Sequence, residues 1–199
     1  MKKMIVVILP ILFLGLLFSC SRATESPPTN ISLKTLLPKL DSYGFKTQEL
    51  NELNKEELSK FYGGVAKQFN ISTGGMEEQI PVGMAIGKYE KGNRTISIKI
   101  LKYRNKKIVV EEVNRQVENS KKMQSMFQRG TSSLEWKLKQ VIVSGHSAYY
   151  QIFGGGPYRQ KYETKLFWAN GLHLFEVTSH GEGPWPEGEA IKIAEEIGY

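Results

Sequence analysis

The chain is 199 residues long, with 27 Lys/Arg against 20 Asp/Glu for a formal net charge of +7, and it contains one cysteine. A single cysteine excludes an internal disulfide, so the folded part must be stable on packing alone. The length corresponds to one ordinary domain with enough chain to bury a core.

Lys2 and Lys3 open the chain, residues 4–18 carry no charge, and Ser19 followed by Cys20 closes the run. A charged start, an apolar run and a small residue in that order form a secretory signal peptide. The run is shorter than the roughly 20 residues that a membrane-crossing helix needs, and Pro10 and Gly15 weaken it further. Its ending, Leu17-Phe18-Ser19-Cys20, resembles the lipobox of bacterial lipoproteins. The resemblance implies cleavage after residue 19, diacylglycerol and an amide-linked acyl chain such as palmitate on Cys20, and a protein anchored outside the cytoplasm. Its place would be the cell membrane or the outer membrane, and Ser21 rather than Asp after the cysteine favours the latter. Each buried methylene contributes about 0.8 kcal/mol, so two or three long chains are a sufficient anchor. The expected organisation is a signal peptide over 1–19, a lipidated cysteine with a flexible tether over 20–30, and a single α+β domain over 31–199.

The tether reading rests on SRATESPPTN, residues 21–30, which is polar, contains Pro27-Pro28 and has no apolar period. Residues 31–40 form a short apolar segment ended by Pro38, and residues 43–50 read as a first, irregular strand. A helix is expected over 55–69, with Asn54 as N-cap and Glu57 as the reciprocal partner of a capping box. Leu58, Phe61, Tyr62, Val65, Ala66 and Phe69 fall on one face of it. Gly63-Gly64 inside this helix points to close packing against another backbone, or to a break into two shorter helices. Residues 82–88 and 94–103 read as an antiparallel hairpin turning at Lys91-Gly92-Asn93, with Ile96, Ile98 and Ile100 on one face. No Gly or Pro interrupts residues 106–129, a long helix with Val109, Val113, Met123 and Phe127 in a stripe, ended by Gly130.

From residue 134 the chain reads as strands, at 134–143, 148–153, 162–169 and 172–179. Asn170-Gly171 is the strongest hairpin signal; as a two-residue loop it would set Lys165 opposite Glu176, Phe167 opposite Leu174 and Trp168 opposite His173. Both faces of that hairpin are apolar, as expected of strands covered on both sides. Residues 187–197 form a last helix with Ala190, Ile193, Ala194 and Ile197 on one face. The expected fold is therefore α+β, a mainly antiparallel sheet of about five or six strands covered by helices on both faces. This order of elements, with WANGLHLFEV at the hairpin and IAEEI in the closing helix, resembles the PsbP-like α/β/α sandwich. LSKFYGGVAKQF, with the hairpin over 89–103, is also similar to an uncharacterised family of exported bacterial proteins. The PsbP-like resemblance implies binding to other macromolecules and supplies no catalytic motif.

Charge is uneven: residues 20–90 carry −1, residues 91–165 carry +11 and residues 166–199 carry −5. The basic middle suits an anionic surface, of lipid headgroups, polysaccharide or an acidic protein. Nucleic acid is not expected of an exported, anchored chain, and the aromatic interleaving of a stacking platform is missing around residues 102–107. No metal or cofactor is expected, because His173 and His180 would point to opposite faces of one strand. Catalysis is not expected either: VSGHSA lacks the nucleophile elbow around Ser144 and Ser147, and Asp41 is the single aspartate. Gly154-Gly155-Gly156-Pro157 reads as a loop tip with Tyr158 and Arg159 beside it as partner contacts. Trp185, between two prolines, reads either as a cap on the core or as an exposed anchor. Trp168 and His173 complete the candidate contacts. The resulting reading is a membrane-anchored binding or protein-interaction module of the cell envelope, with a carrier of a lipid or other apolar ligand as the alternative and an envelope hydrolase third. A carrier requires space lined by residues such as Phe167, Trp168, Phe175 and Met126; an interaction module requires them packed solid.

Overall fold

The computed structural model describes residues 25–68, 79–129, 134–155 and 161–199. Its centre is a single antiparallel sheet of seven strands rather than five or six, ordered β1-β2-β3-β7-β6-β5-β4. The strands are β1 (Lys46–Asn54), β2 (Gly83–Lys91), β3 (Arg94–Lys102), β4 (Leu134–Val143), β5 (His146–Gly155), β6 (Lys161–Asn170) and β7 (His173–Glu182). Among the described residues three α-helices accompany them: α1 (Lys55–Gln68), α2 (Lys106–Arg129) and α3 (Glu187–Glu195). The segment read as a first, irregular strand over 43–50 is β1, which runs on to Asn54 and pairs with β2 along its length as a full member of the sheet. β1 and β4 are the two edges, and both are studded with Lys and Glu, the usual defence of an unpaired edge against another chain.

Two apolar clusters are separated by the alternation of the strands. Leu174 belongs to one and Phe175 and Val177 to the other, as the period of two requires. The first contains Leu58 of α1, Val109, Val113 and Val117 of α2, and Met84, Leu101, Phe167 and Leu174 from the strands. The second joins Ala190, Ile193 and Ala194 of α3 with Ile96, Ile98, Ile100, Leu166 and Trp168. Leu33, Leu36, Leu37 and Leu40 enter it from a 3-10 turn and the chain after it, so the apolar segment before Pro38 is core. The Tyr89 ring lies across Gly87, whose absent Cβ would come within 2.6 Å of the hydroxyl, and that hydroxyl donates to the Pro38 carbonyl at 2.9 Å.

Local signals explain the helix starts. The Asn54 side chain accepts from the N–H groups of Glu56 and Glu57 at 2.9 and 3.1 Å, and Glu57 accepts from the Asn54 N–H at 2.8 Å, a complete capping box. Asn105 accepts from the Ile108 N–H at 3.1 Å and starts α2. Two expectations for α1 change. Phe61 is 57% exposed, and a Cβ on Gly63 or Gly64 would meet nothing within 4 Å, so neither close packing nor a break accounts for the pair. The structure gives no physical reason for these glycines. Phe69 and Gly130 lie outside the described residues.

The β6–β7 register also differs from expectation. Asn170 pairs with His173 and Trp168 with Phe175, so the loop is Gly171-Leu172, with Gly171 alone at positive φ (+61°) as a type II′ turn requires. The shift is by two residues, so every side chain keeps its expected face. Asn170 is drawn into the strand because its buried amide is held from outside the hairpin: Ser26 donates to it at 2.9 Å, and it donates to the Glu25 carbonyl at 3.3 Å. A two-residue loop of type I′ forms instead at Ser144-Gly145, both at positive φ, between β4 and β5.

Candidate functional site

The residues offered as a ligand wall are packed on opposite faces of the sheet, Phe167 against Tyr149 and Trp168 against Phe175. Phe167, Trp168 and Phe175 are each 0% exposed, and the Trp168 and Phe175 rings stack at 5.0 Å. The Trp168 indole N–H donates to the Tyr199 carbonyl at 2.9 Å, which ties the end of the chain down beyond α3. Met126 is 59% exposed and stands apart from that group. Trp185 takes the core position: its backbone N–H donates to Thr164 at 3.1 Å, its carbonyl accepts from the Tyr150 hydroxyl, and its indole N–H donates to Glu189 at 3.2 Å. Burial pushes the Tyr150 hydroxyl up to about 12, so it remains a donor at any physiological pH. Cys20, Tyr158 and Arg159 lie outside the described residues.

The three histidines are dispersed. His173 sits beside Phe175, whereas His180 lies 4.0 Å from Glu163 on the opposite face of the sheet. His146 opens β5 opposite Val143. Among the described residues no three His, Cys, Asp or Glu side chains come together as metal ligands would. The Ser147 hydroxyl accepts from the Gln140 amide at 2.8 Å.

Beneath α2 the sheet carries a polar network. Lys165 donates to Glu176 and to Gln116, each at 2.9 Å, and Gln116 donates to Glu176 at 2.7 Å and to Glu112 at 3.0 Å. Arg115 grips Glu112 with two nitrogens, and farther along Ser120 donates to Gln151 at 2.6 Å. Burial pushes the Glu176 carboxyl up, but the charge and hydrogen bond of Lys165, the Gln116 amide and the charge of Lys99 outweigh it and hold its pKa below the ordinary range. Lys165 and Glu176 were expected directly opposite each other; in the observed register Lys165 faces Thr178 and Glu176 faces Phe167, and the ion pair forms across the diagonal. Gln116 and Ser120 were not singled out, although polar residues continuing the stripe of Val109 and Val113 are the signal for it.

A third feature lies at the sheet end that carries the β6–β7 turn. Part of the expected tether is docked there: Ser26 and Glu25 hold Asn170, Pro27 is buried, and the Thr29 carbonyl accepts from Lys102. His173, paired with Asn170 and Lys102 at this end, is 1% exposed, with neither ring nitrogen hydrogen-bonded. Burial and the nearby Lys102 charge lower its pKa to about 4, against a smaller opposing effect of the Asn170 backbone. Beside it an open groove of about 380 Å³ is lined by Ile31, Leu33, Glu57, Val82 and Lys102, among others. Glu52 in its wall accepts from the Leu33 and Lys34 N–H groups at 2.9 and 3.3 Å. Past the strand end, Arg104, Lys106 and Lys107 are all exposed.

The chain matches no protein-family model, and no curated protein is similar to it. Among solved structures it is similar to the extracellular domain of PknH from Mycobacterium tuberculosis, at 8% identity and a TM-score of 0.49, over 82% of this chain and 91% of that one.

Proposed function

We propose that the protein is a lipid-anchored lipoprotein of the cell envelope whose single α+β domain is a non-catalytic binding module acting through its surface. The observation that carries the choice against a carrier is the packing of Phe167, Trp168 and Phe175, all fully buried and in ring contact with aromatic neighbours. A wall open to a ligand would leave those rings with an unfilled side. An envelope hydrolase is the least supported reading, since VSGHSA around Ser144 and Ser147 lacks the nucleophile elbow. The anchor rests on the lipobox ending at Cys20. The PsbP-like order of elements supports the same class of function by analogy. Replacing Cys20 by Ala tests the anchoring. The processed chain is expected to leave the membrane fraction, and a processed variant, identified by mass, that stays there would refute it.

A further inference from the structure

The strap over residues 25–29 determines which end of the sheet lies near the N-terminus. Glu25 and Ser26 are fixed to Asn170 at the β6–β7 turn, and Cys20 is five residues upstream of Glu25. Five residues span at most about 18 Å. β7 itself is ten residues long, so the far end of the sheet lies about 33 Å from this turn. A lipid on Cys20 therefore reaches a bilayer most easily with the turn end toward it.

That same end carries a run of cations. The Tyr103 N–H donates to the Leu172 carbonyl of the turn at 2.9 Å, so the chain passes the end of the sheet at this point. Lys102, Arg104, Lys106 and Lys107 fall here, and the first acidic residue after them is Glu111. Among the described residues no carboxylate pairs with Arg104 or Lys106, and Lys107 makes only an exposed contact with Glu111 at 3.7 Å. The nearby Glu52 and Glu57 are turned to the backbone N–H groups of Leu33 and Lys34 and of Asn54; among the described residues Glu25 and Glu56 are the other acids near this end. Charges of this kind act on a membrane within a Debye length of about 8 Å, inside the reach of the linker.

We propose that the anchored domain stands on the membrane with its β6–β7 turn end inward, Lys102, Arg104, Lys106 and Lys107 lying against anionic headgroups of the bilayer that holds Cys20. This orientation rests on the lipid anchoring proposed above. It leaves the opposite end, with the β2–β3 turn, projecting outward.

The test uses the mature lipidated protein in vesicles of phosphatidylcholine with or without phosphatidylglycerol. An environment-sensitive fluorophore is placed on Val110→Cys, a 43% exposed site one turn past Lys106, or on Asn93→Cys in the far turn, and spin-labelled headgroups serve as quencher. Cys20 is acylated and does not compete for the label. Quenching is expected at position 110 and not at 93, larger with phosphatidylglycerol, and lost toward the position-93 level in Arg104→Gln/Lys106→Gln/Lys107→Gln. Equal quenching at both positions, or quenching at 110 unchanged by the triple substitution, overturns the orientation. An intact mass without acyl chains on Cys20 instead overturns the anchoring beneath it.

Discussion

His173 is neutral and unbonded in the folded chain, and that makes a quantitative prediction about pH. Its pKa is about 4 in place, against 6.5 for a free imidazole. Between those values the unfolded chain binds a proton that the folded chain refuses, so stability falls as pH drops below 6.5. At about 1.4 kcal/mol per pH unit, His173 alone removes about 2 kcal/mol between pH 7 and pH 5, and about 3 kcal/mol by pH 4. In His173→Leu that component vanishes. The substitution also removes two buried nitrogens with no partner, so the variant should be about 1 kcal/mol more stable at pH 7. Urea unfolding of the chain from Ser21 onward, at pH 7 and pH 5 for both proteins, measures these terms separately, with carboxylate titration common to both. Parallel pH profiles, or a variant clearly less stable at pH 7, would refute the assignment of His173 as a buried neutral group without a hydrogen bond.

Two further substitutions probe the interior. Lys165→Met leaves Glu176 as an uncompensated, nearly buried charge and should cost about 3 kcal/mol, most of it recovered in Lys165→Met/Glu176→Leu. Simple additivity in that double-mutant cycle by urea unfolding would mean that the pair is not coupled. Trp185→Ala removes a side chain 1% exposed between α3 and the sheet, and should lower stability by about 3–5 kcal/mol. A loss below about 1 kcal/mol by thermal or urea unfolding would mean that the indole is not part of the core.

Much of this fold was legible because its elements obey one-dimensional rules. α2 spans the uninterrupted residues it was expected to span, and β3 buries Ile96, Ile98 and Ile100 on one face as strict alternation demands. β1 was underestimated because an edge strand needs little apolar patterning: KTQELNELN buries almost nothing. The β6–β7 register was misplaced because Asn-Gly chemistry favours Asn in the loop, while here a distant segment, Glu25 and Ser26, binds the Asn170 side chain. That docking left no periodic trace in SRATESPPTN, since it depends on side-chain and carbonyl hydrogen bonds and one buried proline. Trp168 and Phe175 posed a different problem, because a core stripe and a pocket wall have the same spacing. Their burial separates the two.

The most direct test of a surface-acting, lipid-anchored module is the mass of the mature protein taken from the membrane fraction, recorded natively in detergent and again after denaturation. The two masses should agree, both exceeding the residue 20–199 polypeptide by the acyl chains on Cys20. A further mass present natively and lost on denaturation would contradict the account and identify a ligand held inside the domain.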